Sequence, residues 1–557
     1  MEHFAAAASA IETALDEGRI GRPVAVRIVV ASPADGVKLA ERHAALLAKA
    51  EQWLAPCDRL AALGSEGRGE IAALGRTGRG QIALVSAAIC PGRPLLEVLV
   101  VGARGVLSWE SGGSLSASRE MPPRDERAQR LADAIRAATE SGELVEFSVD
   151  GRWLPRLAPE DAFIASSPDA VEIATPLRPL PPPYGVLLVS GGHTHQENYA
   201  RSFAADPRCR LVGVTDGSEI TPRRRDLNER LARELAIPYF DDYAVALRRA
   251  DAQIACICAE PERRAALIVQ AAAAGKHLYL DKPLAATAAE GRAIAAAIRR
   301  AGVLGHMFSM VRGPLGVRLD AELRDCGLED VRSLHCDLFF AKGHAGSAES
   351  EAPRQETAEP RAFEGVESKR EFYNVGVYPL VMAQRALGRR VRRIAAVTGN
   401  YFFEEHVRHG MEDFGAALCE LDAGGILTVM AGRTGWRSHP AGGVQRACLI
   451  SEHGAQTIDA YRPRLEVWAD EPAWTAPPRH PLDPMAFWSG TQAESGLRPK
   501  NAWLTPREEL TDDAAYFLDC LQHGRPSDVP VDLASDVLAT QLAAYRAAAG
   551  GCFVRLA

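Results

Sequence analysis

Three stretches of the chain carry residue types that could do chemistry together. The first is Val186-Leu187-Leu188-Val189-Ser190-Gly191-Gly192-His193-Thr194-His195, an apolar run ending in a glycine turn. A glycine turn between a strand and a helix lets backbone N–H groups and the helix N-terminus approach a pyrophosphate. On the spacing G-x-G-x-x-G the glycine positions fall on Ser190, Gly192 and His195, so one glycine is in register. The second is Asp216, which closes the next apolar run. A carboxylate about 20 residues beyond such a loop can accept hydrogen bonds from the adenosine ribose hydroxyls. It also repels a 2′-phosphate, favouring NAD over NADP, although Arg223, Arg224 and Arg225 close by blunt that preference. A turn or capping aspartate is the alternative. The third is Gly275-Lys276-His277-Leu278-Tyr279-Leu280-Asp281-Lys282-Pro283-Leu284, where a lysine stands between a carboxylate and a proline. The proline restricts the φ/ψ of Lys282 itself.

These residues need elements to position them. Val186 to Val189 is wholly apolar, as in a parallel strand covered on both faces. Strands at Arg210 to Thr215, Ile254 to Cys258 and His277 to Leu280 alternate with helices near Leu227 to Leu235 and Glu262 to Ala274. That order predicts an α/β fold, a doubly wound parallel sheet. From Val331 the texture changes to successive strands: Val331 to Phe340, Arg393 to Thr398, Gly415 to Leu421, Ile426 to Gly432 and Val444 to Ile450. An α+β domain with a large, mostly antiparallel sheet is expected there. Gly343 to Glu367, rich in Glu, Ala, Ser and Pro, reads as a mobile surface loop or lid.

The prolines between Thr175 and Pro183 form an extended linker. Domains are therefore expected at 1–170, 184–312 and 313–557, with the linker at 171–183. The N-terminal region has the sheet texture too: Pro23 to Ala31, a helix through Ala50, then Gln81 to Ala88, Leu95 to Val101 and Gly105 to Trp109. Leu96 to Gly105 resembles Gln445 to Gly454 as a strand–turn–glycine unit, which suggests a degenerate copy of the C-terminal sheet domain. Two unrelated hairpins would look similar.

The whole chain bounds the function classes. It has 557 residues, 47% hydrophobic and 24% charged, with net charge −8, which fits a soluble protein of two or three domains. No long basic run suggests a nucleic-acid face, and no stretch reaches the ~18 apolar residues of a membrane span. The start, Met1-Glu2-His3-Phe4, lacks the pattern of a secretory signal. Eleven cysteines occur without Cys-x-x-Cys spacing, and Cys256 and Cys258 read as buried thiols in one strand rather than a zinc site. A cytoplasmic protein without a metal centre is the expectation.

The Lys282 stretch also carries a resemblance. Gly275-Lys276 followed by a strand and Asp281-Lys282-Pro283 resembles the glycine–lysine–strand–Glu-Lys-Pro stretch of the glucose–fructose oxidoreductase / inositol dehydrogenase family. Val212 to Asp216, Pro261, Arg312 and Asn374-Val375-Gly376-Val377-Tyr378-Pro379 extend it over about residues 184–557. It implies a Rossmann domain followed by a sheet domain that walls the substrate site and often forms a dimer interface. It also implies an NAD(P)-dependent oxidoreductase acting on a secondary alcohol or ketone of a sugar, polyol or related small molecule. Lys282 would polarise the substrate oxygen and steady an alkoxide, and Tyr378 would relay a proton. The cofactor would be NAD, with NADP possible, held by Ser190, Gly191, Gly192, His193, His195, Asp216, Glu260, Asp281 and Lys282. Arg312, Asn374 and Tyr378 would face the substrate.

The chain departs from the family at several positions. Glu260-Pro261-Glu262-Arg263-Arg264-Ala265 stands where Thr-Pro-Asn-x-x-His is common, and Asn374 to Tyr378 where Asp-x-Gly-x-His is common. Asn374 cannot act as a carboxylate base. Two further readings therefore stay open: redox-neutral sugar chemistry with bound NAD, and a ligand-binding pseudo-oxidoreductase without turnover. His306 and the Gly435 to Pro440 loop, with Trp436, Arg437 and His439, are softer polar candidates. If the N-terminal region is a sheet copy, it should pack on the C-terminal sheet, giving a monomer by internal pseudo-dimer; a homodimer is the alternative.

Overall fold

The computed structural model describes the chain apart from short breaks and residues 111–125, 157–162, 165–176, 192–194, 342–353, 356–369, 435–442, 467–501 and 505–511. The N-terminal part begins with α1 (Glu2–Asp16), β1 (Pro23–Ser32), α2 (Leu39–Trp53), β2 (Cys57–Ser65), β3 (Glu70–Thr77) and β4 (Ile82–Ile89). It continues with β5 (Leu95–Gly102), β6 (Gly105–Glu110), α3 (Glu126–Ser141), β7 (Leu144–Phe147), β8 (Trp153–Arg156) and β9 (Phe163–Ile164).

The middle part alternates strand and helix. Its first half is β10 (Tyr184–Val189), α4 (Gln196–Ala205), β11 (Cys209–Thr215), α5 (Pro222–Glu234), β12 (Tyr239–Phe240) and α6 (Tyr243–Leu247). Its second half is β13 (Ile254–Ile257), α7 (Pro261–Ala273), β14 (His277–Leu280), α8 (Ala288–Ala301) and β15 (Gly305–Met307). The strands pair in the order β12-β11-β10-β13-β14-β15, all parallel. This is a Rossmann-type sheet, and the apolar run of β10 follows from its two covered faces. Val186 and Leu188 pack with Tyr199 and Phe203 of α4 and Leu231 of α5. Leu187 and Val189 share a core with Leu267 and Ile268 of α7 and Ile294 of α8.

The C-terminal part comprises α9 (Pro314–Cys326), β16 (Val331–Ala341), β17 (Arg354–Gln355), α10 (Glu371–Val375), α11 (Val377–Leu387), β18 (Val391–Asn400), β19 (Phe414–Leu421) and β20 (Ile426–Thr434). Then follow β21 (Gly443–Ser451), β22 (Ala455–Asp459), β23 (Arg464–Glu466), β24 (Ala502–Leu504), α12 (Asp513–His523), α13 (Val531–Gly550) and β25 (Val554–Leu556). Its sheet runs β22-β21-β16-β20-β19-β18-β25-β9. Among the first seven strands only β16 and β20 pair in parallel, so the sheet is mostly antiparallel with one central parallel pair.

The N-terminal sheet runs β6-β5-β1-β4-β3-β2-β7-β8. Its first seven strands repeat the C-terminal order strand for strand, with the parallel pair β1 and β4 in the same place. Arg27 lies between Leu84 and Leu99; at the matching point His335 lies between Thr428 and Cys448. The two sheets bury one face against each other: Leu63, Leu74, Leu84 and Leu99 share a core with Phe339, Val397, Phe414 and Met430. Inside this apolar layer Arg27 pairs with Asp337, and Arg446 lies 3.4 Å from the buried Glu97 and 3.1 Å from Glu110 on the exposed edge strand β6.

Two elements cross the boundaries read from the sequence. Phe163 and Ile164, ahead of the linker, add an edge strand to the C-terminal sheet beside Arg555 and Leu556. Helix α12, late in the chain, returns to the Rossmann sheet, where Phe517 and Leu521 cover the same face as α4. The described end of the linker follows α12, with the Leu180 amide donating to the Leu521 carbonyl at 3.1 Å. The Gly343 to Glu367 loop lies outside the described residues except for Arg354–Gln355, which pairs with β18. No described helix is long and apolar enough to cross a membrane.

Candidate active site

The carboxyl ends of β10, β11, β13 and β14 bring together Ser190, Asp216, Glu260 and the Asp281-Lys282 pair. The strand order reverses direction between β10 and β13, and open α/β sheets bind ligands in the crevice at such a switch point. Ser190 takes the first glycine position with φ +65°, a left-handed conformation that costs a residue with a Cβ about 1–2 kcal/mol. Gly191 is needed for close approach: an added Cβ would lie 2.8 Å from Leu231 Cδ2. Its amide donates to Asn228 Oδ1 at 2.6 Å, which ties the loop to α5. Gly192 and His193 lie outside the described residues.

His195 begins α4 and turns its ring toward the lysine strand. Its Nδ1 is 2.9 Å from Asp281 Oδ1, and the Tyr199 hydroxyl donates to that same oxygen at 2.8 Å. The buried Asp281 carboxyl is held well below the usual range. Burial alone would raise it, but His195, Arg264 and Lys282 outweigh that effect. Arg264, also buried, clamps the turn by donating to the Ala259, Asp281 and Pro283 carbonyls. The Lys282–Pro283 bond is cis.

Lys282 spans the Rossmann and sheet domains. Its Nζ donates to the Asn374 carbonyl at 2.8 Å and to Asn374 Oδ1 at 2.5 Å. Tyr378 presents its ring face to the ammonium, with Nζ 5.1 Å from the centroid. Burial, then Asp281 and Glu371, push the Tyr378 hydroxyl well above its ordinary value, so it is a neutral phenol at physiological pH. Such a group can donate a proton-bearing hydrogen bond and is a poor base.

The adenosine end is more closed than the sequence suggests. Asp216 is buried, with Oδ2 accepting from Asn228 Nδ2 at 2.9 Å and Oδ1 from the Gly217 amide at 2.7 Å. Arg263 pairs with the same Oδ1 and lies 3.3 Å from Glu260. Arg224 pairs with Glu260 at 2.9 Å and donates to the Gly191 carbonyl. The sheet edge, the glycine turn and the buried acid fit a dinucleotide.

Other candidates fall elsewhere. Arg312 pairs with Asp528 and stacks 3.8 Å over Tyr516, so its described partners belong to α12 and its following turn. His306 is buried between Asp513, 2.8 Å away, and Ser527, 2.6 Å away, and fastens α12 to the sheet. Trp436, Arg437 and His439 lie outside the described residues. Sequence reading missed Arg264, Asn228 and Glu371. The first sits in the segment noted as a departure, and Glu371 stands three residues before Asn374, but nothing in the chain order announces their partners.

A parallel doubly wound sheet with its switch point between β10 and β13 defines a Rossmann-type fold. Residues 185–308 match the model of an oxidoreductase family with the NAD-binding Rossmann fold. The chain thus carries the NAD-binding domain of the glucose–fructose oxidoreductase / inositol dehydrogenase family, and NAD is its cofactor class. Similar solved structures include GenD2 from gentamicin A biosynthesis in complex with NAD, at 20% identity and TM-score 0.49, covering 69% of this chain and 99% of that one. Scyllo-inositol dehydrogenase from Lactobacillus casei with NAD(H) and scyllo-inositol gives 16%, TM-score 0.46, and 67% and 98% coverage. Myo-inositol 2-dehydrogenase from Lactobacillus plantarum gives 15%, TM-score 0.48, and 67% and 100% coverage. No curated protein sequence matches the chain.

Proposed function

We propose that this oxidoreductase transfers a hydride to or from the carbon of a secondary alcohol or ketone in a sugar, polyol or related small molecule. The observation that carries the reading is Lys282, a buried ammonium at the carboxyl end of β14, held by Asn374 and against the Tyr378 ring. Bound NAD(P) would supply the hydride acceptor or donor. Lys282 would donate to the reacting oxygen and stabilise alkoxide charge, in a site where little water weakens the interaction. Tyr378, neutral and packed beside it, would supply a donor, while the Asn374 carboxamide positions the lysine rather than taking a proton. Ser190, Gly191 and the start of α4 would face the pyrophosphate. Asp216 would meet the ribose once Arg263 moves aside. Arg312, on its present partners, would have at most an indirect part at the substrate mouth.

The test is a binding measurement with NAD and NADP followed by a turnover screen over polyols and sugars. Lys282→Ala is expected to keep cofactor binding and lose at least a hundredfold in kcat, the scale of one positioned acid or oxyanion donor. Wild-type turnover in that variant overturns the assignment. Retained cofactor with product formed but no net absorbance change would point instead to redox-neutral chemistry. Failure to bind either dinucleotide would point to a pseudo-oxidoreductase.

We also read the N-terminal domain as a degenerate copy of the C-terminal sheet domain. The matching strand order supports this, as does the shared core between the two sheets. The copy covers the sheet face within one chain, so the protein would work as a monomer; a sedimentation mass of two chains would overturn that.

A further inference from the structure

We propose that Glu371 is a positioning residue for Lys282, acting through the side chain of Asn374. The proposal rests on the reading of Lys282 as the residue that meets the substrate oxygen. Helix α10 places Glu371 and Asn374 three residues apart, hence on one face. Asn374 Nδ2 donates to Glu371 Oε2 at 3.3 Å, and Lys282 Nζ donates to Asn374 Oδ1 at 2.5 Å. A carboxamide has one accepting and one donating end. Turned the other way, its NH₂ group would face the lysine donor to donor. The Glu371 carboxylate fixes the choice, because it can only accept.

Glu371 is itself held as an anion. It is fully buried, with Oε1 3.2 Å from Arg433 Nε and 3.4 Å from His406 Nε2. Burial opposes its ionisation, but Arg433, His406 and Asn374 together bring it down to about 2. The Asn374 backbone supports the same arrangement, its amide donating to the Arg370 carbonyl at 2.9 Å while its carbonyl accepts from Lys282. A carboxylate thus acts on the lysine from one helical turn away, relayed by an amide that cannot exchange a proton. Among the described residues, the charged and titratable groups facing Lys282 include Asp281 from its own turn, Tyr378 from α11, and Glu371 through Asn374 from α10.

The test measures Lys282 directly. Cyanate carbamylation of Lys282 in the full chain without cofactor, followed by peptide mass spectrometry across pH, gives the midpoint at which the ammonium loses its proton. Glu371→Gln and Asn374→Ala are each expected to lower that midpoint, by on the order of one pH unit. The double variant should go no further than either alone, and Asn374→Asp should raise it. Glu371→Asp keeps a charge for Arg433 but draws it back from Asn374, so it covers the case in which Glu371→Gln does not fold, and it should shift the midpoint the same way. A folded Glu371 variant with an unchanged midpoint, whatever its thermal stability, overturns the proposal. So does an additive double variant. Because the readout needs no turnover, a shifted midpoint combined with an active Lys282→Ala protein would refute the functional reading and leave the relay intact.

Discussion

Replacing Ser190 with glycine should make the Rossmann domain more stable. The Ser190 backbone sits at φ +65°, where glycine has no steric penalty and serine loses about 1–2 kcal/mol. Its hydroxyl is buried without a hydrogen-bond partner among the described residues, which costs a further ~1–3 kcal/mol. Against these gains, glycine has more freedom to lose on folding, roughly 0.5–1 kcal/mol. The net expectation is a gain of about 1–4 kcal/mol. Ser190→Ala separates the contributions, since it removes the hydroxyl but keeps the Cβ in the left-handed region. It should be less stable than Ser190→Gly by about 1 kcal/mol. A three-part chain does not give one well-defined melting temperature, so native-state hydrogen exchange of the β10 amides is the suitable assay. Glycine no better than alanine would refute the strain argument, and serine more stable than both would refute the hydroxyl argument as well.

The sheet-to-sheet interface gives two further expectations. Burial pushes Glu70 up to about 7, so the folded state holds a proton that the unfolded chain releases near 4.5. Stability is then greatest below the unfolded value and falls as pH rises from about 4.5 to 7. Asp337, raised to about 6 by burial, adds to the same slope. Glu70→Gln should flatten the pH dependence of β3 amide protection in native-state hydrogen exchange over that window, and an unchanged slope would show that Glu70 is not buried against the opposite sheet. Arg446 faces Glu97, Glu110 and Asp459, so Arg446→Glu should cost about 3–5 kcal/mol, with Glu97→Arg in the same chain restoring part of it. A charge reversal without loss of stability would mean that the two sheets do not meet there.

Much of the Rossmann domain was legible in the chain, because its signals are local. The run Val186 to Val189 is apolar at every position because both faces of a parallel strand are covered, and that pattern is written in consecutive residues. Turn chemistry is equally local, as in the Thr287–Glu290 capping box and the Gly302 stop of α8. The Asp281-Lys282-Pro283 turn carries the family resemblance in consecutive residues. The N-terminal domain was harder to read. Strands β2 and β3 are built from Cys57-Asp58-Arg59-Leu60-Ala61-Ala62-Leu63 and Glu70-Ile71-Ala72-Ala73-Leu74, whose alanines and leucines favour helix in isolation. Pairing with each other and with β4, and burial against the opposite sheet, decide their conformation.

The sequence by itself therefore determined the parallel sheet, the acid after its second strand and the lysine turn, since each rests on neighbours in the chain. Only the tertiary structure decided what those groups touch. Arg263 closes over Asp216, Arg264 holds the lysine turn, and Glu371 reaches Lys282 through Asn374. The reason is geometric. A hydrogen bond depends on the positions of two atoms to within a few tenths of an ångström, and Asn374, which accepts from Lys282, lies 92 residues away along the chain.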